Sequence, residues 1–233
     1  MKKLLLACMS TGLLLGSIQG VSASSITETS MKESEVNEVE SYSDLAYLKG
    51  KLDSYEIEYP TATEQEKIDY LNTVISTDEF KNQKTTRGGA YLPGYNNLNS
   101  EEKKLVNENP VIAVAVYAWA DEATSRTISI YGRNGVDDNS DAFRHGCWNI
   151  LMTEHIGYYW TSRWATAHEA TSSGVSKTMD LKNNQIGRDS WVSGKSDSQL
   201  ASIIVLKVNT GKMWRISGGV LVPTTGGRMG NNE

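Results

Sequence analysis

The stretch from Pro110 to Gly132 constrains this chain most. Val111, Val114, Ala115, Ala118, Ala123, Thr127 and Ile130 leave it apolar on most sides of a helix, with a proline at its start and a glycine at its end. Proline suits a first helical turn, where its missing N–H would have had no partner, and glycine ends a helix readily. A helix with so little polar surface belongs inside a domain. The segment therefore predicts a central buried helix with other helices packed around it.

The rest of the C-terminal part supplies those helices. Asn99 or Ser100 can cap a helix over Glu101 to Asn107, where the acidic pair Glu101 and Glu102 suits the positive N-terminus. Arg133 to Ser140 is polar turn material. Further helices are expected from Asp141 to Ile156, ended by Gly157, from Tyr158 to about Ala170, and from about Lys177 to Trp191. The last, capped by Ser196 or Ser198, carries Leu200, Ile203, Ile204 and Leu206. Met213 to Ile216 and Val220 to Val222 around Gly218-Gly219 read as a hairpin. The fold class is mainly α: one helical domain of about six helices over residues 97–233, with a small C-terminal β-hairpin.

The N-terminal part reads differently. Residues 1–23 have the form of a bacterial signal peptide, with Met1-Lys2-Lys3, an apolar stretch from Leu4 to Leu15 and the small residues Val21-Ser22-Ala23 at the cut. Nothing after residue 23 approaches the 18 or so apolar residues a membrane helix needs. Secretion to the extracellular space is the expected destination. One cysteine, Cys147, then remains, so no internal disulfide can form. From Ser24 to Phe80 there are 14 acidic and 4 basic residues, whereas 17 basic residues face 14 acidic ones from Lys81 onward. Residues 24–88 thus read as an acidic, largely disordered arm or pro-segment, flexible to about residue 60 because apolar residues are sparse. A short helix near 63–76 is the exception, with Thr63 and Glu66 as its capping box. Thr85 to Gly89 reads as a linker.

Three histidines, His145, His155 and His168, are all the chain has. Asp141, Arg144, His145 and Trp148 fall at i, i+3, i+4 and i+7 and share one helix face. A carboxylate, a guanidinium and an imidazole stacked there are costly to bury unless they pair or bind something. Asp180, Asn183, Asn184 and Gly187 repeat the spacing. Asparagine and glycine are poor helix formers, glycine by about 1 kcal/mol against alanine, so a ligand or a closely approaching backbone is expected to offset them. His168 and Glu169 are adjacent, so that one could face a site and the other orient it. Asp137, Asn139 and Asp141 open like a calcium loop, but Ala142 and Trp148 stand where an EF-hand needs Gly and Glu. Cys147 reads as core and His155 as structural or surface.

The run Asp141-Ala142-Phe143-Arg144-His145 with Trp148-Asn149, then Ala167-His168-Glu169, then Met179-Asp180-x-x-Asn183-Asn184-x-x-Gly187-Arg188, resembles the signature of an uncharacterised bacterial domain family. That family occurs in secreted proteins and at the C-terminal ends of large surface or toxin-like proteins. The resemblance covers roughly Leu98 to Glu233 and implies a helical domain whose shared polar residues meet in one site, without implying a reaction. The chain departs from the pattern in having Lys182 where the family often has histidine, and Gly146-Cys147 where alanine follows the first histidine.

These residues suggest a hydrolase of a phosphodiester or ester in an anionic substrate such as a phospholipid, wall polymer or nucleic acid. His145, His168, Glu169 and Arg144 are the expected catalytic groups, Asn183, Asn184, Arg188 and Trp148 the substrate contacts, and Asp141 and Asp180 the ligands of a divalent ion, zinc or calcium. Two other classes fit the same residues: a non-catalytic surface domain with a buried polar network, and a toxin or effector masked by the acidic arm. Specific nucleic-acid readers are not suggested, because the aromatic residues do not interleave with a Lys/Arg stripe.

Overall fold

The computed structural model describes residues 39–82 and 97–226. The expected signal segment, the linker Thr85 to Gly89 and residues 227–233 lie outside the described residues. Helices α1 (Tyr42–Glu58), α2 (Glu64–Ser76), α3 (Asp78–Asn82), α4 (Ser100–Glu108), α5 (Pro110–Tyr131), α6 (Asn139–His168), α7 (Gly174–Asp189) and α8 (Asp197–Asn209) precede an antiparallel hairpin of β1 (Trp214–Ser217) and β2 (Val220–Pro223). Among the described residues no helix is long and apolar enough to cross a membrane.

Cap chemistry sets most of the boundaries. Ser41, Thr63, Asn99, Asn109, Asp138 and Ser196 each accept backbone N–H bonds from the first turn they open. Pro110 follows its cap, and Gly132 closes α5 in the left-handed conformation at φ 71°. Gly157, at φ 78° and ψ 160°, breaks α6 into two rods. A side chain is strained there, which is why the sequence places a helix end and a new start at that glycine.

α6 is the axis of the domain. It packs on α5, α7, α8 and β1, and every residue from Asp138 to Thr153 is buried. The expected central helix, α5, is one of its partners and keeps part of its surface in solvent. The sequence hides this because the buried face of α6 contains Asp141, Arg144, His145 and Asn149, which lower its apparent hydrophobicity.

The acidic segment departs further from expectation. Where a flexible arm was expected as far as residue 60, Tyr42–Glu58 is a helix whose Tyr42, Leu45, Leu48 and Leu52 are buried against α5 and α2. Ser41 bridges to Asn97, and Leu98 N–H donates to Glu40 O at 2.8 Å, so this segment is tied to the entry of α4.

α7 crosses α6 at two glycines. A Cβ on Gly187 would overlap Gly146 O and lie 2.9 Å from Asn149 Cβ. The backbones approach too closely for any side chain, which offsets the poor helix propensity of this run. Gly187→Ala is expected to lose about 1–2 kcal/mol, overpacking of roughly 1–3 kcal/mol being partly offset by alanine's propensity. A thermal melt should show a drop of a few degrees; an unchanged or raised melting temperature would rule out the close crossing.

Candidate metal and acid-base site

The crossing brings the polar stripes of α6 and α7 together. Asp141, Arg144, His145, His168, Glu169 and Asp180 line one cavity of about 230 Å³, with Asn134, Gly135, Val136, Ser172 and Ser176 completing its wall. Asp141, Arg144, His145 and Asp180, expected from helical spacing and from the family resemblance, thus meet the adjacent pair His168 and Glu169 at the end of α6.

At the centre is His145, 4 % exposed. Its Nε2 lies 3.4 Å from Asp141 Oδ1 and 3.3 Å from Asp180 Oδ1. Its Nδ1 donates to Asn184 Oδ1 at 3.1 Å and lies 3.9 Å from Glu169 Oε1. That proton placement is fixed from a distance. Arg188 can only donate, and its Nη1 bonds Asn149 Oδ1 at 2.8 Å. Asn149 must therefore present its Nδ2, which donates to Asn184 Oδ1 at 2.7 Å, so Asn184 turns an oxygen toward His145. Nδ1 carries a proton whether the ring is neutral or charged, and Nε2 faces the two aspartates.

Asp141 is the most heavily engaged carboxylate. Arg144 Nη2 bonds its Oδ1, and the Asp137 N–H donates to its Oδ2 at 2.6 Å. Arg144 is itself held by Asn134 Oδ1 and by Gly135 O. Burial works against ionisation of Asp141, yet Arg144 and His145 hold it below the usual carboxylate range. Asp180 has no such help: burial, with the charges of Asp141 and Glu169, pushes it up to about 6 despite the attraction of His145. His145 is likewise desolvated, but Asp180 and Asp141 raise it to about 9 in the absence of an ion.

Glu169 Oε1, Asp180 Oδ1 and Asn184 Nδ2 are buried without a hydrogen-bond partner. Each such group costs about 1–3 kcal/mol, so a cluster of three around one imidazole calls for a ligand. The ligating atoms of Asp141, His145 and Asp180 all lie within 4.8 Å of one another, a group that could hold a metal ion. The 3.3 and 3.4 Å edges from Nε2 match those of a tetrahedron built on metal–ligand bonds of about 2.0–2.1 Å. With a neutral imidazole, the three carboxylates and one guanidinium leave an excess of two negative charges, which a divalent ion would cancel.

None of the four expected substrate contacts lines the cavity. Asn183 pairs with the backbone of Trp214, donating from Nδ2 to Trp214 O at 2.8 Å and accepting its N–H at 2.9 Å, and so fastens the hairpin. Arg188 lies behind the site in the relay to Asn149 and also bonds Gln185 Oε1 at 2.7 Å. Trp148 is fully buried and donates to Val116 O at 3.3 Å. Asn184 contacts His145 from below, as an orienting group. The calcium-loop spacing also dissolves: Asn139 bonds Thr225 O, and Asp137 accepts from Ser176. Cys147 is core, its thiol pushed up to about 12 by burial. Lys182, at the position where the resembled family often has histidine, is exposed over the Trp214 ring and outside the cavity.

Asn149, named above only within the resembled signature, and Glu102, named only as a helix-end charge, also take part. Asn149 continues the Asp141–His145 face by one more i+4 step, a signal that was available in the sequence. Glu102 had none, since its partner His168 is 66 residues away.

Residues 103–212 match a family described as "Domain of unknown function (DUF6973)". The matched span holds every residue lining the cavity, begins one residue after Glu102, and excludes α1 to α3 and the hairpin. No curated protein and no solved structure matches the chain.

Proposed function

We propose that this chain is a secreted, metal-dependent hydrolase of a phosphodiester or ester bond in an anionic substrate. The observation that carries this reading is the meeting of His145 Nε2 with Asp141 and Asp180 at tetrahedral spacing beside buried carboxylate oxygens that accept no hydrogen bond. An imidazole ligand and a coordination sphere of only three protein atoms favour zinc or a similar transition ion over calcium, which takes six or more oxygens. Such an ion would polarise the scissile group and lower the pKa of a bound water.

The chain's own residues divide the remaining work. Asn184 holds the His145 tautomer, the arrangement that orients ligating histidines elsewhere. Arg144 supplies positive charge at the cavity wall to meet an anionic phosphoryl group. His168 offers an imidazole for proton transfer. The alternative, a purely structural polar network, is supported by the Arg144–Asp141 pair and by the approach of His145 Nε2 to Asp180 at 3.3 Å, but it leaves Glu169 Oε1 buried without a hydrogen bond.

Metal content and melting temperature of purified, chelated protein titrated with zinc, manganese and calcium test the proposal. One equivalent of zinc or manganese is expected to bind. At 100-fold excess over its Kd it should stabilise by about 2.7 kcal/mol, and hydrolysis of bis(p-nitrophenyl) phosphate should return with it. No bound ion and no stabilisation by any of the three would end this reading.

A further inference from the structure

The first turn of α4 connects to the cavity through His168, whose ring meets the carboxylate of Glu102. Glu102 is 1 % exposed. Its Oε2 accepts the Asn99 N–H at 2.8 Å and closes the α4 cap. Its Oε1 accepts from Tyr42 Oη of α1 at 3.0 Å and from His168 Nδ1 at 2.8 Å. Asn99 Nδ2 donates to Ala167 O at 2.7 Å, tying the same cap to the end of α6. Trp148 stands edge-on to the His168 ring, with centroids 5.3 Å apart. α1, α4 and α6 therefore converge on one imidazole that lines the cavity.

We propose that Glu102 and Tyr42 hold His168 as the Nδ1–H tautomer, with Nε2 presented to the cavity as a proton acceptor, forming a proton-transfer dyad beside the Asp141–His145–Asp180 group. An ionised carboxylate can only accept, so the single proton of a neutral imidazole sits on Nδ1 and the lone pair on Nε2. The catalytic use of the dyad rests on the hydrolase reading; the tautomer does not. In that reaction Nε2 takes a proton from the attacking water as the water oxygen bonds to phosphorus. The imidazolium, stabilised by Glu102, returns the proton to the leaving oxygen as the P–O bond breaks. His168 is then the catalytic residue, and Glu102 and Tyr42 are positioning residues.

Long-range 1H–15N correlation on protein labelled at histidine nitrogen reads the tautomer directly. Neutral His168 in the wild type is expected to carry its proton on Nδ1. In Glu102→Gln the Asn99 N–H still needs an oxygen, which turns the amide nitrogen toward His168 and should move the proton to Nε2. With zinc bound, this variant should lose roughly 10²–10⁴-fold in kcat while KM and metal content stay near wild type. A wild-type Nε2–H tautomer overturns the dyad, and needs no variant to fold. A tautomer that switches in Glu102→Gln without a fall in kcat overturns its catalytic role. A wild type with the Nδ1–H tautomer and no phosphodiester hydrolysis supports the dyad's geometry and overturns the hydrolase reading instead.

Discussion

Asp180→Asn is expected to abolish metal uptake and hydrolysis while raising the melting temperature of chelated protein at neutral pH. Asp180 sits at about 6 in the fold against 3.8 for the ordinary group, chiefly because it is buried. The sign follows from proton linkage. A raised pKa means that the folded state holds the proton more tightly, so the group's contribution to stability is full below about pH 4 and lost as pH climbs through about 6. At pH 7 the fold bears an ionised carboxylate at a cost on the order of 2 kcal/mol. Asparagine has nearly the same shape, and the burial of Asp180 outweighs the attraction of His145 that the substitution removes. A gain of that size raises the melting temperature by roughly 4–8 °C in a chain of this length.

The advantage of Asp180→Asn should vanish near pH 4 and grow toward pH 7. His145 adds a second window in chelated wild-type protein. Its pKa is raised from 6.5 to about 9, burial being outweighed by the two aspartates, so its contribution is present below about 6.5 and lost as pH rises through about 9. Zinc needs the neutral imidazole, so its stabilising effect should increase across that second window. Melting curves with and without zinc at several pH values check both. An Asp180→Asn protein that still takes up zinc, or that melts lower than wild type at pH 7, would make Asp180 only a structural partner of His145.

The parts of this fold that were legible in the sequence are those decided by neighbours along the chain. Asn99, Asn109 with Pro110, Thr63 with Glu66, and Ser196 open helices because cap bonds close within three residues. The site was legible as two helical stripes for the same reason, since spacing fixes which residues share a face. Spacing does not fix what that face meets. Asn183 and Asn184 are consecutive and chemically identical, yet one binds the hairpin backbone and the other binds His145. The crossing at Gly146 and Gly187 decides between them. Arg188 looked like a substrate clamp and instead sets the polarity of a relay, a role visible only once Asn149 lies between it and Asn184.

The N-terminal helix shows the same limit, and Leu48→Ala tests it. Tyr42, Leu45, Leu48 and Leu52 follow a spacing of three, three and four, a narrow seam of the kind found in coiled coils. Against the surrounding acidic residues such a seam is easily read as an arm with scattered leucines. Leu48 is fully buried, and α1 packs on both α5 and α2. Truncating a leucine in such a place costs about 2–5 kcal/mol, a fall of roughly 4–20 °C in melting temperature at about 2–4 °C per kcal/mol. A shift under about 1 °C would return α1 to the status of a detachable arm. Tyr42 lies on this helix and bonds Glu102, so loosening α1 should also loosen His168. In Leu48→Ala the His168 nitrogen signals should therefore broaden or mix tautomers below the melt, whereas those of His145, held by Asn184 and Arg188 from α7, should not.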